Sequence, residues 1–267
     1  MARAKVTTEV LRSMKQAGEP IAALTAYDHL WASILDSTDI DVILVGDSVG
    51  TVVQGRDTTI SVTMEQMLYH TEMVTRATKR ALVIADMPFM SFQISLETAL
   101  RNAGDLLKKG NAEAVKLEGG KEVADTVRHL TEVGIPVMGH LGLTPQSIHK
   151  FGSYKVRGLN PSEADRIFRD AQALQDAGIF ALVLEKVPVD LANRITKELS
   201  VPTIGIGAGP GCDGQILVTQ DMVGLFTRFR PRFVRRYLAL AETLRETLGQ
   251  YVADVKTHEF PSTDESY

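Results

Sequence analysis

The stretch Val42-Ile43-Leu44-Val45-Gly46-Asp47-Ser48 sets the pattern of this 267-residue chain. Its first four residues are an unbroken apolar run, which suits a strand covered on both faces, as in a parallel sheet wrapped by helices. The run stops on Gly46 and delivers an acid and a hydroxyl. Three further runs repeat the design: Leu82-Val83-Ile84-Ala85 ends on Asp86, Ala114-Val115-Lys116-Leu117 on Glu118, and Ala181-Leu182-Val183-Leu184 on Glu185. Strands that each present a carboxylate at the C-terminal end are how a (β/α) barrel builds an active site.

The remaining pattern fills in around these strands. Thr7 or Thr8 caps a short helix through Lys15 that Gly18 ends. Residues 21–26 read as the first strand, ending at Tyr27-Asp28, and a helix over 29–38 leads to the second strand at 42–47. Residues 49–62 follow neither period and read as a loop over the strand ends. Thr63 caps a helix over 64–79, with Glu65 and Lys79-Arg80 where the helix dipole prefers them. The third strand is 82–86, followed by a helix from Ser95 to Lys109-Gly110. The fourth is 114–118, followed by a helix over 121–133. The fifth, 136–140, runs into a long connection through Phe151-Gly152-Ser153-Tyr154-Lys155. Pro161 starts a helix that Gly178 ends, then come a strand at 181–185, a helix at 189–199 and a strand at 202–207. The eighth strand falls at 216–219, where the scheme strains, because a parallel crossover usually needs a dozen or more residues. A last amphipathic helix over 231–253 carries Phe233, Tyr237, Leu240, Leu244, Leu248 and Tyr251, and the tail from Lys256 reads as irregular.

Composition narrows the setting. The length suits one barrel, and no linker divides it, so residues 1–267 read as a single (β/α)8 domain. A net charge of −4 gives no basic field, which argues against nucleic acid and anionic membrane as partners. The single cysteine, Cys212, excludes an internal disulfide framework and reads as a small unreactive residue in a reducing cytoplasm. Met1-Ala2-Arg3-Ala4-Lys5-Val6 has no apolar signal region, and no run approaches the length of a membrane span.

Five pieces together carry a family resemblance: Thr25-Ala26-Tyr27-Asp28, Val45-Gly46-Asp47-Ser48, Lys116-Leu117-Glu118-Gly119, Gly139-His140-Leu141-Gly142-Leu143-Thr144-Pro145-Gln146, and Ile204-Gly205-Ile206-Gly207-Ala208-Gly209 with Cys212-Asp213-Gly214-Gln215. In this order and spacing the chain resembles the ketopantoate hydroxymethyltransferases. The resemblance implies a barrel of the phosphoenolpyruvate/pyruvate class and transfer of a hydroxymethyl unit from 5,10-methylenetetrahydrofolate to 3-methyl-2-oxobutanoate, giving 2-dehydropantoate for pantothenate synthesis. It also implies Glu185 as proton acceptor, and a homo-oligomer, a decamer, in which the last helix is exchanged between subunits.

The residue chemistry is compatible with that implication. If Asp47, Asp86 and Glu118 converge, each pair about 4 Å apart repels by roughly 4 kcal/mol at an effective dielectric of 20. Such a cluster holds protons or a cation, and all-oxygen ligands favour Mg²⁺, with one acid acting through water. The plain alternative is that each acid caps a helix or pairs with a surface lysine. Lys116 shares a strand face with Glu118, and a charge inside a barrel strand suits the carboxylate of a 2-oxo acid. Ser48 offers an amide and a hydroxyl to the same carboxylate, or merely caps a turn. His140 reads as a supporting group near the substrate, and Glu185 otherwise as a partner for Lys186. The glycine-rich segment 205–214 lacks the phosphate-binding order and reads as close packing or room for a pterin. The competing functions are a Mg²⁺-dependent lyase or mutase of the same barrel class, against which the absent Lys-Lys-Cys-Gly-His loop speaks, and a non-catalytic assembly subunit.

Overall fold

The computed structural model describes residues 4–267; the first three positions of the N-terminal stretch read above for a signal region lie outside the described residues. The chain divides into two compact units, Met1–Val218 and Thr219–Tyr267. Among the described residues no helix is long and apolar enough to cross a membrane.

In the first unit, helix α1 (Thr8–Ala17) is capped by the Thr7 hydroxyl and ended by a left-handed Gly18. The alternating elements that follow are β1 (Ile21–Thr25), α2 (His29–Asp36), β2 (Val42–Val45), a single turn α3 (Val49–Val52), α4 (Met64–Ala77), β3 (Leu82–Asp86), α5 (Leu96–Lys108) and β4 (Ala114–Glu118). After them come α6 (Ala124–Glu132), β5 (Val137–Gly142), a second single turn α7 (Ile148–Phe151), α8 (Pro161–Asp176), β6 (Ala181–Glu185), α9 (Val189–Glu198), β7 (Thr203–Ile206) and β8 (Gly214–Leu217). The eight strands pair in sequence order, all parallel, and β8 closes on β1, so no edge is left open.

Strand parity sorts the core into two layers. Leu44, Ile84, Ala114, Met138, Val183, Ile204 and Ile216 fill the barrel interior together with Leu11 of α1. Their neighbours Ile43, Val45, Val83, Val115, Leu117 and Leu184 face outward against the helices. The helix starts follow local chemistry: Asp28 accepts from the Trp31 amide, Thr63 and Gln66 form a capping box, and Ser95 and Asn160 cap α5 and α8.

Several boundaries differ from the sequence pattern. Residues 49–62 hold α3, and the connection after β5 holds a 3₁₀ turn (Pro145–Ser147) and α7; single turns are too short for periodicity to reveal. Strand β8 lies at Gly214–Leu217 rather than 216–219, because its ladder is set by its neighbours, Gly214 pairing with both Ile21 and Ile204. The strained β7–β8 crossover contains no helix. The chain need only retrace a four-residue strand, about 13 Å, and residues 207–213 have more than about 20 Å of reach. The glycines of this segment pack closely, since a Cβ on Gly209 would meet Val189 at 2.7 Å and one on Gly211 would meet Asn193 at 1.8 Å. Burial pushes the nearby Cys212 thiol up, away from thiolate character.

In the second unit, α10 (Thr219–Met222) and α11 (Leu240–Thr257) are separated by irregular chain. The expected helix over 231–253 is therefore shortened at its start, leaving out Phe233 and Tyr237. Arg232, Arg235 and Arg236 would crowd like charges on one helical face. The amides of Tyr237 and Leu240 instead bond back to Met222 O and Val223 O, at 2.9 and 3.0 Å. Helix α11 buries none of its side chains. The tail read as irregular contains the end of α11 and a 3₁₀ turn, Thr263–Glu265, capped by Ser262.

At the foot of the barrel, Asp213 Oδ2 accepts from Lys15 Nζ (2.7 Å), the Thr203 amide (2.8 Å) and the Thr203 hydroxyl (3.1 Å), joining α1, β7 and the start of β8. Asp213→Ala leaves the fully buried Thr203 and the largely buried Lys15 without their anion. The expected loss of stability is about 2–3 kcal/mol, read as a lower urea midpoint with an unchanged m-value.

Candidate active site

The four strand-end acids stand at one end of the barrel because parity and register bring them there. Asp86, Glu118 and Glu185 each continue the inward-facing side of their strands, above Ile84, Lys116 and Val183 respectively. Asp86 is the register partner of Lys116, and Glu118 that of His140. Asp47 lies just past β2. It is drawn in by its own amide, which donates to Asp86 Oδ2 at 3.0 Å. Gly46 permits this approach, for a Cβ there would stand 2.8 Å from Ser48 Oγ and 3.4 Å from Asp86 Oδ2. Gly142 does the same for Glu185: its φ is 94°, and a Cβ would stand 2.2 Å from the Glu185 carbonyl oxygen.

Lys116 Nζ is at the centre, 3.0 Å from Asp86 Oδ1 and 3.1 Å from His140 Nδ1. Both Lys116 and Asp86 are almost wholly buried. Burial alone weakens the lysine's hold on its proton. The carboxylates of Asp86, Glu118 and Asp47 outweigh burial and hold its affinity for the proton above that of an ordinary lysine. The acids move the opposite way. Burial, and then the charges of Asp86 and Glu118, push the Asp47 carboxyl well above the usual carboxylate range. Burial also raises Asp86, although Lys116 and the Asp47 amide draw it back.

His140 links this centre to the fourth acid. Its Nδ1 is 3.4 Å from Glu118 Oε1 and its Nε2 is 3.3 Å from Glu185 Oε2. Burial and the Lys116 ammonium favour the neutral ring. The Glu118 and Glu185 carboxylates favour the charged one and prevail, so the imidazole lies above its ordinary value. In the charged ring both N–H groups face carboxylates; in the neutral ring Nδ1 accepts from Lys116.

Every site residue expected from the sequence thus lies in or beside one cluster: Asp47, Asp86, Lys116, Glu118, His140 and Glu185 by direct contact, Ser48 next to Asp47. The Ser48 hydroxyl is 2.7 Å from the Tyr27 hydroxyl, with Tyr27 fully buried. Among the described residues, no three His, Cys, Asp or Glu side chains lie close enough together to form a ready metal cage. Two participants escaped the sequence pattern. Tyr27 follows the first strand in the expected place yet carries no charge to mark it. Gln146, in a turn after Pro145, donates its backbone N–H to Glu118 Oε2 at 2.9 Å and its side-chain amide to Asp47 Oδ2 at 2.8 Å. A polar residue in a turn gives no sequence signal of burial. The plain reading of the acids as helix caps or surface partners does not describe them; that role falls to Asp28, Thr63 and Ser95.

Comparison with known proteins matches this arrangement to a family. The family model described as "Ketopantoate hydroxymethyltransferase" covers residues 5–263. A protein of Prosthecochloris aestuarii named 3-methyl-2-oxobutanoate hydroxymethyltransferase is 56% identical over 266 residues, covering 98% of this chain and 96% of its own. The one of the same name from Syntrophus aciditrophicus is 52% identical over 263 residues, covering 98% and 97%. Among solved structures, a phosphonopyruvate hydrolase in complex with oxalate and Mg²⁺ superposes with a TM-score of 0.67 at 15% identity, covering 97% of this chain and 93% of its own. A 2,3-dimethylmalate lyase, a member of the PEP mutase/isocitrate lyase superfamily, superposes at 0.62 with 17% identity, covering 100% and 89%. At such identity these two speak for the fold alone. The profile match and the relatives above half identity together establish that the chain is an enzyme, a transferase, and belongs to the ketopantoate hydroxymethyltransferase family.

Proposed function

We propose that the protein transfers a hydroxymethyl group from 5,10-methylenetetrahydrofolate to 3-methyl-2-oxobutanoate, forming 2-dehydropantoate on the route to pantothenate. The observation that carries this reading is the buried cluster in which four carboxylates meet one ammonium and one imidazole. Even with Lys116 and His140 both charged, the acids are in excess, and a divalent cation relieves that imbalance. An all-oxygen donor set fits Mg²⁺, which commonly takes one or two carboxylates directly and keeps water. Asp47 and Asp86 would hold it, with Glu118 acting through water. Bound there, Mg²⁺ would supply Lewis-acid stabilisation for an enolate.

The protein's own groups account for the rest. The Lys116 ammonium has three donors, so it can hold the oxo-acid carboxylate while keeping Asp86 and His140, and the Ser48 hydroxyl and amide hold the same end. Glu185, on a strand away from Asp47 and Asp86, removes the proton from C3 of the substrate. His140 Nε2 lies 3.3 Å from Glu185 Oε2, so a charged ring would steady the base by ion pairing. The resulting carbanion bonds to the methylene carbon, and water supplies the hydroxyl as the two C–N bonds to the folate break. The second water proton and the proton taken up by Glu185 end on the two nitrogens of departing tetrahydrofolate. The lone, half-buried Cys212 supports a cytoplasmic setting. Helix α11 leaves Leu244, Leu248, Tyr251, Val252 and Val255 exposed. That apolar surface supports a homo-oligomer, a decamer, assembled through this helix.

Three outcomes are expected. In D₂O with Mg²⁺ and no folate, the enzyme exchanges hydrogen at C3 of 3-methyl-2-oxobutanoate, followed by proton NMR. Glu185→Gln slows that exchange by roughly 10²–10⁴ while binding the oxo acid normally, whereas Lys116→Ala mainly weakens oxo-acid binding. Exchange at the wild-type rate in Glu185→Gln would assign the base to another group. By calorimetry, Asp86→Ala keeps its fold and loses Mg²⁺-dependent binding of the oxo acid; binding that persists with its Mg²⁺ dependence intact removes Asp86 from the metal site. Sedimentation at micromolar concentration gives a closed oligomer for the intact chain, and a monomer there would dispose of the assembly reading.

A further inference from the structure

Gln146 sits in the 3₁₀ turn Pro145–Ser147 and is almost wholly buried. A glutamine in a short turn ordinarily faces water, so its burial demands partners. It bridges the ends of three strands. The backbone N–H donates to Glu118 Oε2, at the end of β4; the side-chain amide donates to Asp47 Oδ2, just past β2, and to the Met87 carbonyl oxygen at 3.0 Å, just past β3. A carbonyl and a carboxylate both accept, so the amide nitrogen must face them and the orientation of the group is settled. Its carbonyl oxygen, Oε1, is thereby left buried with no hydrogen-bond partner. A buried acceptor of this kind is costly until a donor reaches it.

We infer that Gln146 is a positioning residue for the cation: it fixes Asp47 and Glu118 and presents Oε1 to a water held by the metal. The inference rests on the Mg²⁺ reading above. Tying Asp47 Oδ2 to the amide leaves Oδ1 to turn toward the ion, and Mg²⁺ keeps waters whose protons need acceptors. Groups that orient metal ligands in this way typically contribute 10–100-fold in affinity. A merely structural glutamine would hold the turn without affecting the metal.

The test uses Mn²⁺ as the probe, with free and bound ion distinguished by electron paramagnetic resonance in the absence of both substrates. Wild type, Asp47→Ala and Gln146→Met are compared, with thermal unfolding of the metal-free proteins alongside. Methionine keeps the volume and the backbone bond to Glu118 but removes the amide. The expected result is a cooperatively folding Gln146→Met protein that binds Mn²⁺ 10–100-fold more weakly than wild type. If that variant does not fold, Gln146→Ala, which adds no bulk, carries the same comparison. Wild-type affinity in the folded variant overturns the role of Gln146 alone, provided Asp47→Ala abolishes binding. No binding by the wild type overturns the metal reading, and this inference with it.

Discussion

Three buried carboxylates and a fourth, partly exposed one share the barrel mouth with Lys116, and most of what is distinctive in the structure answers to that crowding. Desolvation disfavours each charge, and the acids disfavour one another. Lys116 is the protein's own answer: it pairs with Asp86, touches His140, and is held charged by its neighbours despite complete burial. It balances one acid and not four. Burial, and after it the charges of Asp86 and Glu118, push the Asp47 carboxyl well above the usual range, and the proposed cation would relieve this crowding.

The barrel makes this concentration of charge tolerable by holding it rigidly. The interior below the acids is an apolar layer of Ile84, Ala114, Met138 and Val183, and the register is locked by strands paired on both sides. Side chains on strand ends therefore meet at fixed distances, the condition for any positioned acid–base or ligand-holding constellation. Two glycines, Gly46 and Gly142, let backbone approach where a methyl group would collide with the site.

Much of this was legible in the sequence because the signal was strong and local. Strands at 82–86, 114–118 and 181–185 lie at the expected residues, since each is an apolar run cut off by an acid, and those acids gather around Lys116 and His140 at one end of the barrel. Legibility failed where position is decided by distant partners. The placement of β8 follows its ladders with β1 and β7 rather than its own apolar run. The start of α11 is delayed by arginine crowding and by amides that bond back to the end of α10. Gln146 and Tyr27 join the site through contacts across the barrel mouth, which no period along the chain encodes. The mutual placement of Glu185 and His140 belongs to the same class, being a product of neighbouring strands.

The proposed function stands or falls on whether the crowded acids hold a divalent cation beside Lys116. Anomalous diffraction from crystals grown with Mn²⁺ and 3-methyl-2-oxobutanoate tests it most directly. The expected result is a single anomalous peak about 2.1–2.2 Å from carboxylate oxygens of Asp47 and Asp86, the range of a small oxygen-bound cation, with the oxo-acid carboxylate against Lys116 Nζ. A peak elsewhere, or a substrate bound at the barrel mouth with no metal between it and these acids, would contradict it.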